Sequence, residues 1–238
     1  VVGSELLHRN LVRVLEHGCH SGRYWIAMEL VEGRTLRQIH NELRRKRRLP
    51  PIWVVAMTVS TICSALHWAQ TRLCGDGRFS SLVHRVVSPD NVMVSFEGVP
   101  KLLDFGIARI NGREVQASGV GTLKGKAAYM APEQIQDPSN VGPEADVYSV
   151  GVVLYELLTG HRPFEAPNEV ALIHAILNAR PKPPREMLPS LGHEVDALVM
   201  KALARSPRDR FSSPDALKDA LERLLAERRT QTSEKMMG

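Results

Sequence analysis

The chain has 238 residues, of which 43% are hydrophobic and 24% charged. This is an ordinary globular composition that excludes disordered and fibrous classes and supplies core for one domain or two small lobes. The formal net charge is +5, from 31 Lys+Arg against 26 Asp+Glu, and aromatics are only 5%. Aromatics that sparse make a base-stacking platform, and hence a nucleic-acid partner, unexpected. The sequence shows no signal peptide, and no apolar run reaches the roughly 18 residues of a membrane span. The best candidate, Val147 to Leu158, is short and holds Glu156.

In chain order, residues 11–16 and 23–31 are rich in strand formers and flank His17 to Gly22, so they predict a hairpin. His17, Cys19 and His20 share that turn but have no obvious fourth ligand, which argues against a metal. Beyond Glu32-Gly33 the pattern turns helical. Thr35 can cap a first amphipathic helix that ends in the basic run Arg44-Arg45-Lys46-Arg47-Arg48, which reads as a solvated helix terminus. Pro50-Pro51 opens a long helix carrying Val54, Val55, Val59, Ile62 and Leu66. Cys74 to Ser81 reads as a loop. Cys19, Cys63 and Cys74 have no paired spacing, which suits a reducing cytoplasm rather than a disulfide framework.

Short strands are expected near Asn91–Ser95 and Pro100–Leu103, joined through Glu97-Gly98. A Gly-rich, poorly periodic stretch follows over 106–128. From Ala145 to Arg229 the pattern is almost wholly helical, interrupted at Pro163, Pro181 to Pro184 and Pro207. Helix 145–159 is apolar nearly all round and is stopped by Gly160, so it predicts a core helix. Stretches 168–179, 193–204 and 214–227 are amphipathic and would surround it. A hairpin followed by a helical mass is an α+β layout.

Four short motifs occur in one order: His84-Arg85-Val86-Val87-Ser88-Pro89-Asp90-Asn91, Asp104-Phe105-Gly106, Ala131-Pro132-Glu133, and Asp146 at the head of the core helix. Each alone arises readily by chance. Together, in these contexts, they resemble the eukaryotic-like Ser/Thr protein kinases of bacteria, over Leu6 to about Leu225. Met28-Glu29-Leu30-Val31-Glu32-Gly33 resembles the hinge, and Tyr129 to Gln134 the end of the activation segment. Arg210 matches the family arginine that pairs with Glu133.

The resemblance implies a kinase-like α+β fold: residues 1–31 as the remainder of the N-lobe and hinge, 32–228 as a mostly helical C-lobe, and 229–238 as a tail. It implies ATP and Mg²⁺ as cofactors and a protein substrate or signalling partner. Asp104 and Asn91 would hold Mg²⁺ through oxygen, which hard cations require. A turn-capping role for Asp104 and a backbone-capping role for Asn91 remain open. Backbone groups of Glu29 and Val31 would meet adenine, with Met28 as gatekeeper and Met93 on the pocket floor; Met28, Val31 and Met93 could equally be plain core. His84, Phe105 and Val14 would join the internal packing spine. Arg85 would pair with a phosphorylated segment, for which Ser118 and Thr122 are candidate acceptors. Asp146 would brace the catalytic loop.

Two departures bear on activity. The catalytic aspartate is expected at position 86, where this chain has Val86. Valine has no lone pair for the substrate proton, and losing a general base costs typically ~10²–10⁴-fold. The expected sequence is therefore that of an impaired kinase, or of a pseudokinase that signals by binding. The usual catalytic-loop lysine is replaced by Ser88, while a usual threonine is replaced by Lys126. One reading is that the Lys126 ammonium reaches over Ser88 toward the phosphates; the other is a surface lysine. No G-x-G-x-x-G and no Val-Ala-Ile-Lys equivalent occurs in the chain, whereas the resemblance implies a phosphate lid, a strand lysine and its helix glutamate before Leu6; either the chain is a fragment of a longer protein or the protein has half an ATP site. Without them the hairpin strands would lack partners.

Overall fold

The computed structural model describes residues 7–72, 82–103, 109–110, 113–114 and 123–237, with 109–114, 123–124 and 228–237 described in backbone alone. The expected hairpin is present, shifted along the chain. Strand β1 (Val14–His20) pairs antiparallel with β2 (Arg23–Met28). The turn is not His17 to Gly22 but only Ser21-Gly22, both at positive φ (49° and 75°). A two-residue turn of that hand matches the right-handed twist of the strands, so the ladder continues to His20. These strands take each other as partners. Leu15, Tyr24 and Trp25 on them are exposed.

A strand the sequence pattern concealed comes next. β3 (Gly33–Thr35) pairs antiparallel with β4 (Val92–Ser95), which pairs with β5 (Pro100–Leu102). Gly33 is required there, since a Cβ would lie 2.2 Å from the Val94 carbonyl oxygen. Thr35 then caps α1 (Leu36–Arg45): its hydroxyl accepts from Gln38 N–H while the Gln38 side chain takes the Thr35 N–H. The basic run sits at the exposed end of this helix, where Arg45 and Lys46 pair with Glu42 at 2.9 and 3.1 Å.

Helix α2 (Ile52–Thr71) follows Pro51 as expected. It is long and apolar enough to cross a membrane by length and composition, which corrects the reading that no such run exists. Its residues Val55, Val59, Ile62, Cys63 and Leu66 are buried in the core. The expected loop at 74–81 lies outside the described residues, as do Asp104, Phe105, Ser118 and Thr122. The stretch 106–128 is not featureless: β6 (Arg109–Ile110) pairs with β7 (Arg113–Glu114), and a short helix α3 spans Leu123–Lys126.

A further short helix, α4 (Pro132–Gln136), leads to the core helix α5 (Glu144–Thr159), in which every residue from Ala145 to Thr159 is buried. Gly160 ends it in the left-handed conformation, φ 79°. Around it pack α2, α7 (Pro184–Met187), α8 (His193–Ala202) and α9 (Pro214–Met237), while α6 (Glu169–Asn178) packs on α4 and the turn 127–129. The backbone of helix α9 runs on to Met237. Gly151 lets α8 come close, since a Cβ would lie 2.9 Å from that of Ala202. One contiguous core joins α2, α5, α8 and α9. Each large apolar side chain buried in it contributes roughly 1.5–3 kcal/mol.

Candidate active site

The loop 82–91 is held from beneath by one buried carboxylate. Asp146, fully buried at the start of α5, accepts N–H bonds from His84 (2.9 Å), Arg85 (2.8 Å) and the Gln70 side chain (2.8 Å). Burial raises its pKa, and the His84 ring and these donors pull the other way. The clamp fixes Arg85 at φ 74°, a left-handed conformation costly for a side-chain-bearing residue. His84 Nε2 lies 2.9 Å from the Leu103 carbonyl oxygen, tying the loop to the chain just before Asp104. Asp146 thus bonds the loop at two successive backbone N–H groups.

At the far end of the loop, Asn91 is 6% exposed. Its Nδ2 donates to the Val86 carbonyl (3.2 Å), and its own carbonyl accepts from Leu103 N–H (2.8 Å). This orientation spares Oδ1, which accepts no bond among the described residues and is the atom a hard cation would need. Val86 packs its side chain against the apolar core. Ser88 is wholly buried, and its Oγ makes no hydrogen bond among the described residues. Lys126 is half-buried on α3 and forms no ion pair among the described residues.

On the hinge side, Met28 closes β2 and Met93 lies in β4, both half-buried. The Glu29 N–H donates to the Arg13 carbonyl (2.9 Å), and its carboxylate pairs with Lys101. That leaves the Glu29 carbonyl and the Val31 N–H without hydrogen bonds among the described residues.

Two buried ionic clusters support the segment end. Arg210, whose side chain is 0% exposed, grips Glu133 with two bonds of 2.6 and 2.7 Å. Its remaining N–H groups reach the carbonyls of Ala204 (2.7 Å), Glu144 (2.9 Å) and Arg205 (3.0 Å). All five guanidinium donors are used, and the plane lies 4.9 Å from the Tyr148 ring centroid.

The second cluster was not legible as a site. Glu156, inside the core helix, receives the Arg37 guanidinium (2.6 Å) and the Tyr129 hydroxyl (2.5 Å), while Arg37 also reaches that hydroxyl and Asp90 (3.3 Å). Burial lifts the Tyr129 phenol, aided by Glu156; it would lower Arg37, but Tyr129 and Glu156 outweigh it. His40 lies 3.9 Å from Glu156, is 1% exposed, and neither ring nitrogen has a well-formed hydrogen bond among the described residues. The available signal was Glu156 itself: a carboxylate in a helix buried all round demands a cation.

This arrangement of braced loop, amide oxygen and anchored segment defines a class, and comparison agrees. The protein kinase domain family matches residues 2–221, and the chain belongs to that family, among its bacterial eukaryotic-like members. The chain is 38% identical over 226 residues to the tyrosine-protein kinase MasK of Myxococcus xanthus, covering 95% of this chain and 35% of that protein. It is 36% identical over 227 residues to the serine/threonine-protein kinase PknL of Mycobacterium tuberculosis, covering 94% and 53% respectively. With the serine/threonine-protein kinase pkn3 of Myxococcus xanthus it shares 35% over 240 residues, covering 97% and 42%. The chain thus spans between a third and about half the length of these relatives.

Proposed function

We propose that this chain is a Ser/Thr protein kinase domain that retains the frame for Mg²⁺–ATP and a protein substrate but is impaired in the transfer step by Val86. The observation that carries this reading is the intact clamp around an altered centre. Asp146 and Asn91 hold the loop in its strained shape, while position 86 offers only an alkyl group. In this reading Asn91 Oδ1, with Asp104, holds Mg²⁺, which would neutralise charge on the migrating phosphoryl group. The Glu29 carbonyl and Val31 N–H receive adenine beside Met28 and Met93. Tyr129 to Glu133, anchored by Arg210 and Glu156, seat the peptide, and Arg85 takes a phosphate on Ser118 or Thr122. The acceptor is assigned as serine or threonine, as the names of PknL and pkn3 have it for those proteins. A cytoplasmic setting suits the free, exposed Cys19.

The packing of Val86 against the core favours a second reading, a nucleotide- or partner-binding scaffold without transfer. The two separate in one titration of a fluorescent ATP analogue with and without Mg²⁺. Mg²⁺-dependent binding that Asn91→Ala weakens at least tenfold supports the retained frame. Binding indifferent to both Mg²⁺ and Asn91 overturns the nucleotide part and leaves the partner-binding scaffold. The relocated charge at Lys126 is tested in a Val86→Asp background: Lys126→Ala should lower both nucleotide affinity and transfer, and no change in either removes it.

A further inference from the structure

Away from the loop, a cavity of about 380 Å³ lies under the segment end, between α4, α5, α6 and α8. Its walls are Pro132, Tyr148, Phe164, Ile176, Met200 and Leu203. Tyr148, Phe164, Ile176 and Leu203 are each under 10% exposed, so the floor is part of the rigid core. The mouth is different in kind. It is formed by exposed Ala179 and two exposed arginines, Arg180 and Arg205.

Neither arginine has a carboxylate partner among the described residues. Arg205 donates to the Ala179 carbonyl at the end of α6 (2.8 Å), a bond that anchors the guanidinium over the rim without neutralising it. Arg180 makes no hydrogen bond or ion pair among the described residues. Among the described residues no acidic side chain lines the cavity, and the Glu133 carboxylate next to Pro132 is already taken by Arg210. An apolar pocket rimmed by two uncompensated cations selects an occupant that is apolar at its tip and negative beside it.

We propose that this cavity is a docking site for an acidic peptide segment of a partner protein, one bulky apolar side chain entering between Tyr148 and Met200 while flanking carboxylates meet Arg180 and Arg205. A volume of about 380 Å³ sits at the small end of ligand-sized pockets, enough for an aromatic or leucine side chain with part of its neighbour. Pro132 belongs to both this wall and the end of the peptide-seating segment, so a protein held here is held beside the proposed acceptor groove. That the partner is a substrate rests on the kinase reading; the docking itself does not.

The test measures binding alone, without nucleotide or transfer, so its failure and failure of the kinase reading are distinct. A fluorescein-labelled peptide alternating glutamate with phenylalanine and leucine is titrated against the chain by polarisation, beside the same peptide with lysine for glutamate. The acidic peptide should bind and the basic one should not. Arg180→Glu should weaken the acidic peptide about tenfold or more, and Ala179→Trp, which fills the mouth from an exposed position, should remove binding. Circular dichroism melts of both variants matching the parent show that neither effect is unfolding. Equal binding of both peptides, no binding of either, or acidic-peptide binding that survives Ala179→Trp overturns the proposal. Self-association of the chain that Ala179→Trp abolishes, without peptide binding, also overturns it and assigns the cavity to a second copy.

Discussion

The helical side of the molecule and the hairpin solve opposite problems. Around α5, charged groups are buried and each is matched: Arg210 spends five donors, Asp146 collects three, and Glu156 takes Arg37 and Tyr129. In the hairpin β1–β2 the order comes from a two-residue turn and a short ladder, with Leu15, Tyr24 and Trp25 left exposed. The first region is specified by long-range partners and tolerates no deletion. The second is specified locally and gives little when trimmed. The loop 82–91 sits on the first kind of support, which is why Arg85 keeps its left-handed conformation.

The largest expected effect breaks the matched side. Arg210→Ala strands the Glu133 carboxylate and three carbonyls, and should cost about 3–5 kcal/mol in urea unfolding. A loss under about 1 kcal/mol would show that the cluster is not structural. Asp146→Leu removes one acceptor from three donors and should cost at least about 2 kcal/mol. It should also release Arg85 from its left-handed conformation, read as faster amide exchange across the loop.

His40 sharpens the comparison because it is the unmatched group on the matched side. Burial holds its pKa below the usual imidazole value, with Arg37 and Arg44 adding and Glu156 opposing. Below about pH 6.5 the unfolded chain takes the proton and the folded chain resists it, so stability falls as pH drops through that window. His40→Leu should flatten the slope of the urea midpoint between pH 7 and 5; an unchanged slope would contradict the assignment. Ser88→Ala deletes an unsatisfied buried hydroxyl and should be neutral or stabilising by up to about 1 kcal/mol. On the hairpin, Trp25→Ala should stay within about 1 kcal/mol; a cost like that of Arg210→Ala would erase the contrast.

Much of this was legible in residue patterns. The core helix announced itself by apolar residues on every side and Gly160 behind it, and Thr35 and Pro51 marked helix starts by their backbone chemistry. Asp146 and the Glu133–Arg210 pair came from the resemblance. β3 was hidden because three residues with a central Arg34 carry no alternation, and its strand identity depends on β4, about 60 positions away. The hairpin turn was misplaced because His17 to His20 lack strand-forming side chains, and the positive φ at Ser21 and Gly22 decided it instead. Glu156 was read only as an interruption in an apolar run, although its burial demanded Arg37. Ser88, singled out by its position in the loop, is wholly buried, which its sequence neighbours did not announce.

The central claim, a retained loop frame around a missing base, is tested most directly by one rate. The full-length protein is assayed for transfer of labelled phosphate from Mg²⁺–ATP to a generic protein substrate, with Val86 and with Val86→Asp side by side. The account predicts a gain of about 10²–10⁴-fold on restoring the aspartate. Equal rates at both would contradict it, since the proton would then be handled without a residue at position 86.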